Sequence, residues 1–172
     1  MRGALCLKSE QLRVLKVINE VTRKMDLNEF ARMVDLDANE ALECIQELAR
    51  TGLLKKSGGG YGITEKGKAV LNAQTIVANG LEFRFYTEVG QSTGASARSL
   101  KEFYETIKTI DAASLEFHLY REDFTNWVQA VVKDEVLATE LENVRQSELK
   151  GESLRKRLMS VIEKHYGMEA LQ

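Results

Sequence analysis

Apolar residues return every three or four positions through the first part of the chain. Leu12, Leu15, Ile18 and Val21, with Val14 and Val17 alongside, predict a helix from a Ser9 cap to about Arg23. Asp26 followed by Glu29 has the capping-box spacing, and Leu27, Phe30, Ala31 and Val34 give the inward face of a short second helix. After a tight turn at Asp35-Leu36, Asp37 and Glu40 repeat the signal. A third helix then places Ala41, Cys44, Ile45, Leu48 and Ala49 on one side. Gly52 stops it, because glycine accepts the left-handed conformation past a helix end. The pattern then changes. Leu53-Leu54-Lys55-Lys56, a Ser57-Gly58-Gly59-Gly60 tip and Tyr61-Gly62-Ile63-Thr64 predict a β-hairpin, and Glu65 to Leu71 returns to helix.

Beyond the turn dipeptide Asn79-Gly80 the texture differs. Leu81, Phe83, Phe85 and Thr87 alternate with Glu82, Arg84, Tyr86 and Glu88, which predicts a half-buried strand. Gly90 to Ser96 reads as a flexible surface loop; it lacks the lysine and spacing of a P-loop. Ser99 with Glu102 caps a helix that buries Leu100, Phe103, Tyr104, Ile107 and Ile110. The stretch from Asp111 to Tyr120 reads as helix, although Leu115, Phe117 and Leu119 alternate like a strand. Asp123 is expected to cap a helix carrying Phe124, Trp127, Val128, Val131 and Val132, and Asp134 one carrying Leu137, Leu141 and Val144. The last helix follows Lys150-Gly151, presents Leu154, Leu158, Val161 and Ile162, and ends at His165 and Tyr166. If that row exceeds what one small domain buries, it pairs with its own copy, making a homodimer. Arg155-Lys156-Arg157 reads as solvated helix surface.

The elements sum to a mainly α fold of α+β class in two domains. Residues 1–75 form one, with a hairpin; residues 80–172 form a mostly helical second with one or two short strands. Charge and aromatic content support the division. The first 75 residues balance at +2 and the remainder at −4, and all aromatics except Phe30 and Tyr61 lie in the second part. Over the whole chain the net charge is −2, so the molecule as a whole is no polycation. No apolar run approaches the ~18 residues of a spanning helix, and Ala4-Leu5-Cys6-Leu7 is too short for a secretory core. With two cysteines, Cys6 and Cys44, no disulfide framework is possible, and a cytoplasmic setting is expected.

The order helix, helix, turn, helix, hairpin, with Leu48-Ala49-Arg50-Thr51-Gly52-Leu53-Leu54-Lys55 and Tyr61-Gly62-Ile63-Thr64-Glu65-Lys66-Gly67-Lys68-Ala69-Val70-Leu71, resembles winged-helix regulators of the kind abundant in archaea. The resemblance implies a winged helix-turn-helix that binds double-stranded DNA and regulates transcription. Its third helix would enter the major groove with Asn39, Glu43, Gln46 and Arg50 at base edges. Lys55, Lys56 and Ser57 of the wing, and Arg32 of the second helix, would meet phosphate. Glu40, Glu43 and Glu47 oppose this, since glutamates facing phosphates lower affinity. The alternative is a winged-helix module that contacts a protein partner.

The second part resembles a domain of unknown function found in archaeal and bacterial proteins, with a pattern S-x-x-x-H, D-F-x-x-W, D-E-x-L-A. Here it reads Ser114 to His118, Asp123-Phe124 to Trp127, and Asp134-Glu135 to Leu137-Ala138. This resemblance implies no activity; dimerisation or sensing is the expected role. His118, Asp123 and Trp127 are the candidate ligand pocket, set against a histidine that merely fixes a corner between helices. No nucleophile accompanies them, so no enzyme is read. His118 and His165 alone do not suggest a metal site, and no cofactor is expected.

Overall fold

The computed structural model describes residues 7–166 apart from Thr22. Arg2 and the Ala4-Leu5-Cys6 part of the apolar run lie outside the described residues. The described chain is mainly helical with two small two-stranded sheets, an α+β arrangement. No described helix is long and apolar enough to cross a membrane. Two compact units separate between Leu71 and Asn72.

The first unit contains α1 (Ser9–Glu20), α2 (Leu27–Val34), α3 (Ala38–Arg50), β1 (Leu54–Ser57), β2 (Gly60–Ile63) and the start of α4 (Glu65–Gln74). Ser9 is not the cap of α1: Lys8 holds that position, and its N–H donates to the Gln11 side chain at 3.0 Å. The helix also stops at Glu20. Asp26 and Asp37 do cap α2 and α3, accepting backbone N–H bonds from Glu29 and from Asn39 and Glu40. The turn between them is made by Asp35 at φ 55°, a left-handed position that lets Leu36 N–H return to Ala31 O at 3.0 Å. Thr51-Gly52-Leu53 ends α3 the same way, with Leu53 N–H on Leu48 O at 2.9 Å.

Val14, Leu15, Phe30, Ala31, Val34, Ala41, Ile45, Leu48, Leu53 and Leu54 form this unit's core, and Cys44 and Ala49 pack half-buried at its edge. β1 and β2 pair antiparallel from Leu54↔Ile63 to Ser57↔Gly60. The two-residue turn Gly58-Gly59 has both φ positive, as hairpin turns of this length require.

In the second unit, β3 (Phe83–Glu88) pairs antiparallel with β4 (Gln91–Ala97). The expected loop from Gly90 to Ser96 is therefore mostly a strand. Its residues show no apolar alternation because they are largely exposed, and only Ala97 is buried. Leu81, expected inward, is exposed and precedes the strand. Five helices complete the unit: α5 (Leu100–Thr109), α6 (Ala112–Tyr120), α7 (Asp123–Trp127), α8 (Glu135–Gln146) and α9 (Gly151–Tyr166). α7 runs on into a π-helical turn, Val128–Val132. Leu154, Leu158, Val161 and Ile162 are all buried inside this unit, so the α9 row is not free to form a two-fold interface. Arg155 is not solvated surface either. Its guanidinium donates to the Ile107 and Ile110 carbonyls at the end of α5 and pairs with Glu152.

Candidate functional site

Two places can carry function, one in each unit. In the first unit, Asn39, Glu43, Gln46 and Arg50 all lie exposed along α3, opposite the buried Ala41, Ile45 and Leu48. Helical spacing puts the four on one stripe. Arg32 on α2 is exposed as well, as are Lys55, Lys56 and Ser57 on β1. The glutamates are not equivalent. Glu40 turns its carboxylate back to the Asp37 N–H at 3.2 Å, closing the capping box. Glu47 is hydrogen-bonded to the Arg50 guanidinium, whose pKa that bond raises. Glu43 is the remaining acid on the stripe.

The strand pleat separates the two hairpin lysines. Leu54 and Lys56 share one face of β1, and Lys55 lies on the other beside Gly62. Sequence reading missed a third cation here. Lys24 belongs to the segment between α1 and α2, yet its Nζ stands by the hairpin tip, 3.8 Å from where a Cβ on Gly59 would be. Nothing in local spacing signals this, because it depends on how the hairpin folds back.

In the second unit, His118, Asp123 and Trp127 do come together, along an open cleft of about 460 Å³ beside β3. His118 is buried on α6. Its Nδ1 lies 2.8 Å from Asp123 Oδ2, and its Nε2 accepts the Tyr86 backbone N–H at 2.7 Å. Since Nε2 is an acceptor, the proton sits on Nδ1 and the ring is neutral. Burial lowers the His118 pKa, outweighing the hydrogen bond and charge of Asp123. Asp123 consequently does not cap α7. It is the helix's first residue, following Glu122 at φ 66°, and its carboxylate serves His118.

Trp127 is buried and its indole N–H donates to Leu81 O at 2.8 Å. Phe83 sits among Phe103, Phe124, His118 and Trp127 with ring centroids 4.8 to 5.7 Å apart. The His118 ring therefore ties the free edge of β3, and the Trp127 ring the backbone just before it, into the helical layer. A ring with both nitrogens engaged has no lone pair left to act as a base.

A second cluster was not anticipated. Asp134 caps α8 through the Leu137 N–H at 2.9 Å, and also receives His165 Nε2 at 2.8 Å and the Tyr166 hydroxyl. Among the described residues no three His, Cys, Asp or Glu side chains converge as a metal site would need.

Residues 79–172 match the Family of unknown function (DUF5752). The chain belongs to that family. No curated protein matches the chain, and neither does any solved structure. In this DUF5752 member the motif residues have definite tasks. His118, Asp123 and Trp127 hold β3, Phe124 fills the aromatic core, and Asp134 joins the start of α8 to the end of α9. Ser114, one helical turn before His118, is fully buried, and its hydroxyl has no hydrogen-bond partner among the described residues.

Proposed function

We propose that the chain is a DNA-binding regulator whose first unit is a winged helix and whose DUF5752 unit serves sensing. The observation that carries this reading is the polar stripe of α3 standing beside an exposed, lysine-bearing hairpin. The tight α2–α3 turn at Asp35 suits a helix-turn-helix, in which the second helix meets the major groove. The chemistry fits base edges: Asn39 and Gln46 match adenine, and Arg50 matches guanine once released from Glu47. A surface pair of this kind contributes at most about 1 kcal/mol, so a guanine edge competes with it. Lys55, Lys56, Lys24 and Arg32 supply the phosphate contacts.

The experiment is a fluorescence-anisotropy titration of duplex DNA at several salt concentrations, with the Lys55→Glu/Lys56→Glu double variant alongside. Each neutralised phosphate contributes about 0.9 to the logarithmic salt slope, so loss of both lysines lowers it by about 2. An unchanged slope, or a wild type that binds no duplex at ~100 mM salt, removes the reading.

One observation favours a second reading, a module that docks on protein. Met33 and Leu42 of the same two helices are 52% and 37% exposed, beside a stripe that also carries the acidic Glu43. A partner protein held by Met33 and Leu42 in place of duplex would decide for it.

A further inference from the structure

The first unit has a half-open hollow of about 470 Å³ whose apolar lining the DNA reading does not use. Ile18 comes from the end of α1 and Val21 from just past it, Leu27 and Phe30 from α2, Ile45 from α3 and Tyr61 from β2. The Gly58 to Gly60 tip forms one side. Phe30 and Ile45 are buried, whereas Ile18, Val21, Leu27 and Tyr61 stay half-buried around the hollow. Apolar side chains converging on open space, with few polar groups at the rim, are the usual lining of a small-molecule site.

The rim charges name the ligand. Arg23 is bonded to Glu29. The Asp26 carboxylate accepts the Glu29 N–H at 2.9 Å, at the positive end of α2. Lys24 has no ion pair among the described residues, and its ammonium faces the tip. An apolar hollow with one uncommitted ammonium at its mouth complements an acid with a hydrophobic body. The geometry points to a binding site for a small amphipathic monocarboxylate. Its carboxylate pairs with Lys24 and its hydrocarbon or aromatic body lies against Leu27, Phe30, Ile45 and Tyr61. Because the wing tip is one wall, occupancy holds the tip and takes Lys24 from phosphate. That consequence for DNA rests on the proposed function; the binding itself does not.

The test uses the full chain with decanoate as probe and decanol as its uncharged counterpart, followed by calorimetry and by amide chemical shifts. Saturable one-site binding of decanoate is expected, with shifts concentrated at Gly59 and Tyr61. Decanol should bind at least tenfold more weakly, and Lys24→Glu should cost decanoate at least tenfold without changing the melting curve. Equal affinity for decanol, no loss in Lys24→Glu, shifts that fall elsewhere or no saturable binding each overturn the site. A parallel DNA titration keeps the two ideas apart. Decanoate binding without duplex binding retains this site and ends the DNA reading; the reverse result does the opposite.

Discussion

The Tyr86 backbone N–H donates to His118 Nε2 at 2.7 Å, and this bond decides what the histidine can do. An edge strand leaves backbone donors exposed, and here a side chain from α6 takes the place of a third strand. Protonating Nε2 would break the bond, with only Asp123 opposite to compensate and the Arg121 guanidinium 3.5 Å from that carboxylate. The folded pKa is therefore below the ordinary 6.5, chiefly through burial. The unfolded chain takes up a proton that the folded chain resists, so stability falls as pH drops below about 6.5. Urea melts from pH 8 to pH 5 should show that decline. In His118→Gln the slope should flatten, with a loss of roughly 1–3 kcal/mol at pH 8 from the stranded Tyr86 donor. A wild type as stable at pH 5 as at pH 8 would contradict the assignment.

Asp134 gives a second, more acidic signature. Burial pushes its carboxyl up, but hydrogen bonds from His165, the Leu137 N–H and Tyr166 outweigh it and hold the pKa at about 2 against an ordinary 3.8. A depressed carboxylate stabilises above its unfolded pKa, and that contribution is lost as pH falls from about 3.8 toward 2. Its size is about 2 kcal/mol at neutral pH. Asp134→Asn should lose roughly that much and no longer steepen in the acid limb of a pH series.

The same two clusters mark where the sequence was readable and where it was not. Caps at Asp26, Asp37, Ser99 and Asp134 were legible because a cap acts over three residues. The burial of Phe103, Ile107, Leu141 and Leu158 was legible from helical period. β4 was not, since an exposed strand of Gln, Ser and Thr carries no period-two signal. Asp123 looks like a cap in sequence and serves His118 instead, a choice that depends on β3 lying beside α6. Lys24 at the hairpin tip was hidden for the same reason. Its neighbours are set by a hairpin more than thirty positions along the chain.

Gly67 offers a prediction whose sign runs against helix propensity. In an ordinary helix interior, Gly→Ala stabilises by about 1 kcal/mol. Here a Cβ would overlap the Leu53 carbonyl oxygen and stand 2.7 Å from Ile63 Cγ1. Leu53 O already accepts the Thr64 N–H at 3.0 Å, so that backbone is not free to retreat. Gly67→Ala should instead cost about 1–3 kcal/mol in thermal or urea melts, as overpacking does. A stabilised variant would show that α4 does not press on the hairpin base this closely.

Arg155, Lys156 and Arg157 look alike in sequence and should separate cleanly in experiment. Only Arg155 is largely buried, closing the end of α5 through two carbonyls. Arg155→Met leaves those acceptors unpaired and should destabilise by roughly 2–4 kcal/mol. Lys156→Ala and Arg157→Ala, both exposed, should stay within about 0.5 kcal/mol. Equal costs across the three would mean that Arg155 caps nothing.

The ion pair between Glu47 and Arg50 makes the DNA reading testable in the direction of gain. Most changes at a binding face weaken it, and weakening has many causes. Glu47→Gln removes a negative charge from α3 and frees the Arg50 guanidinium, while leaving the buried Ala41, Ile45 and Leu48 face untouched. If α3 enters a major groove, duplex affinity should rise about three- to tenfold, because a lost surface pair and a lost repulsion each amount to about 1 kcal/mol or less. The salt slope should change little, as Lys55 and Lys56 are unaltered. Glu40→Gln is the control. That carboxylate is engaged at the Asp37 N–H, so its replacement should lower stability slightly and leave affinity nearly constant. A gain in Glu40→Gln equal to that in Glu47→Gln would point to nothing more than reduced overall negative charge. No gain in either would place α3 away from the duplex.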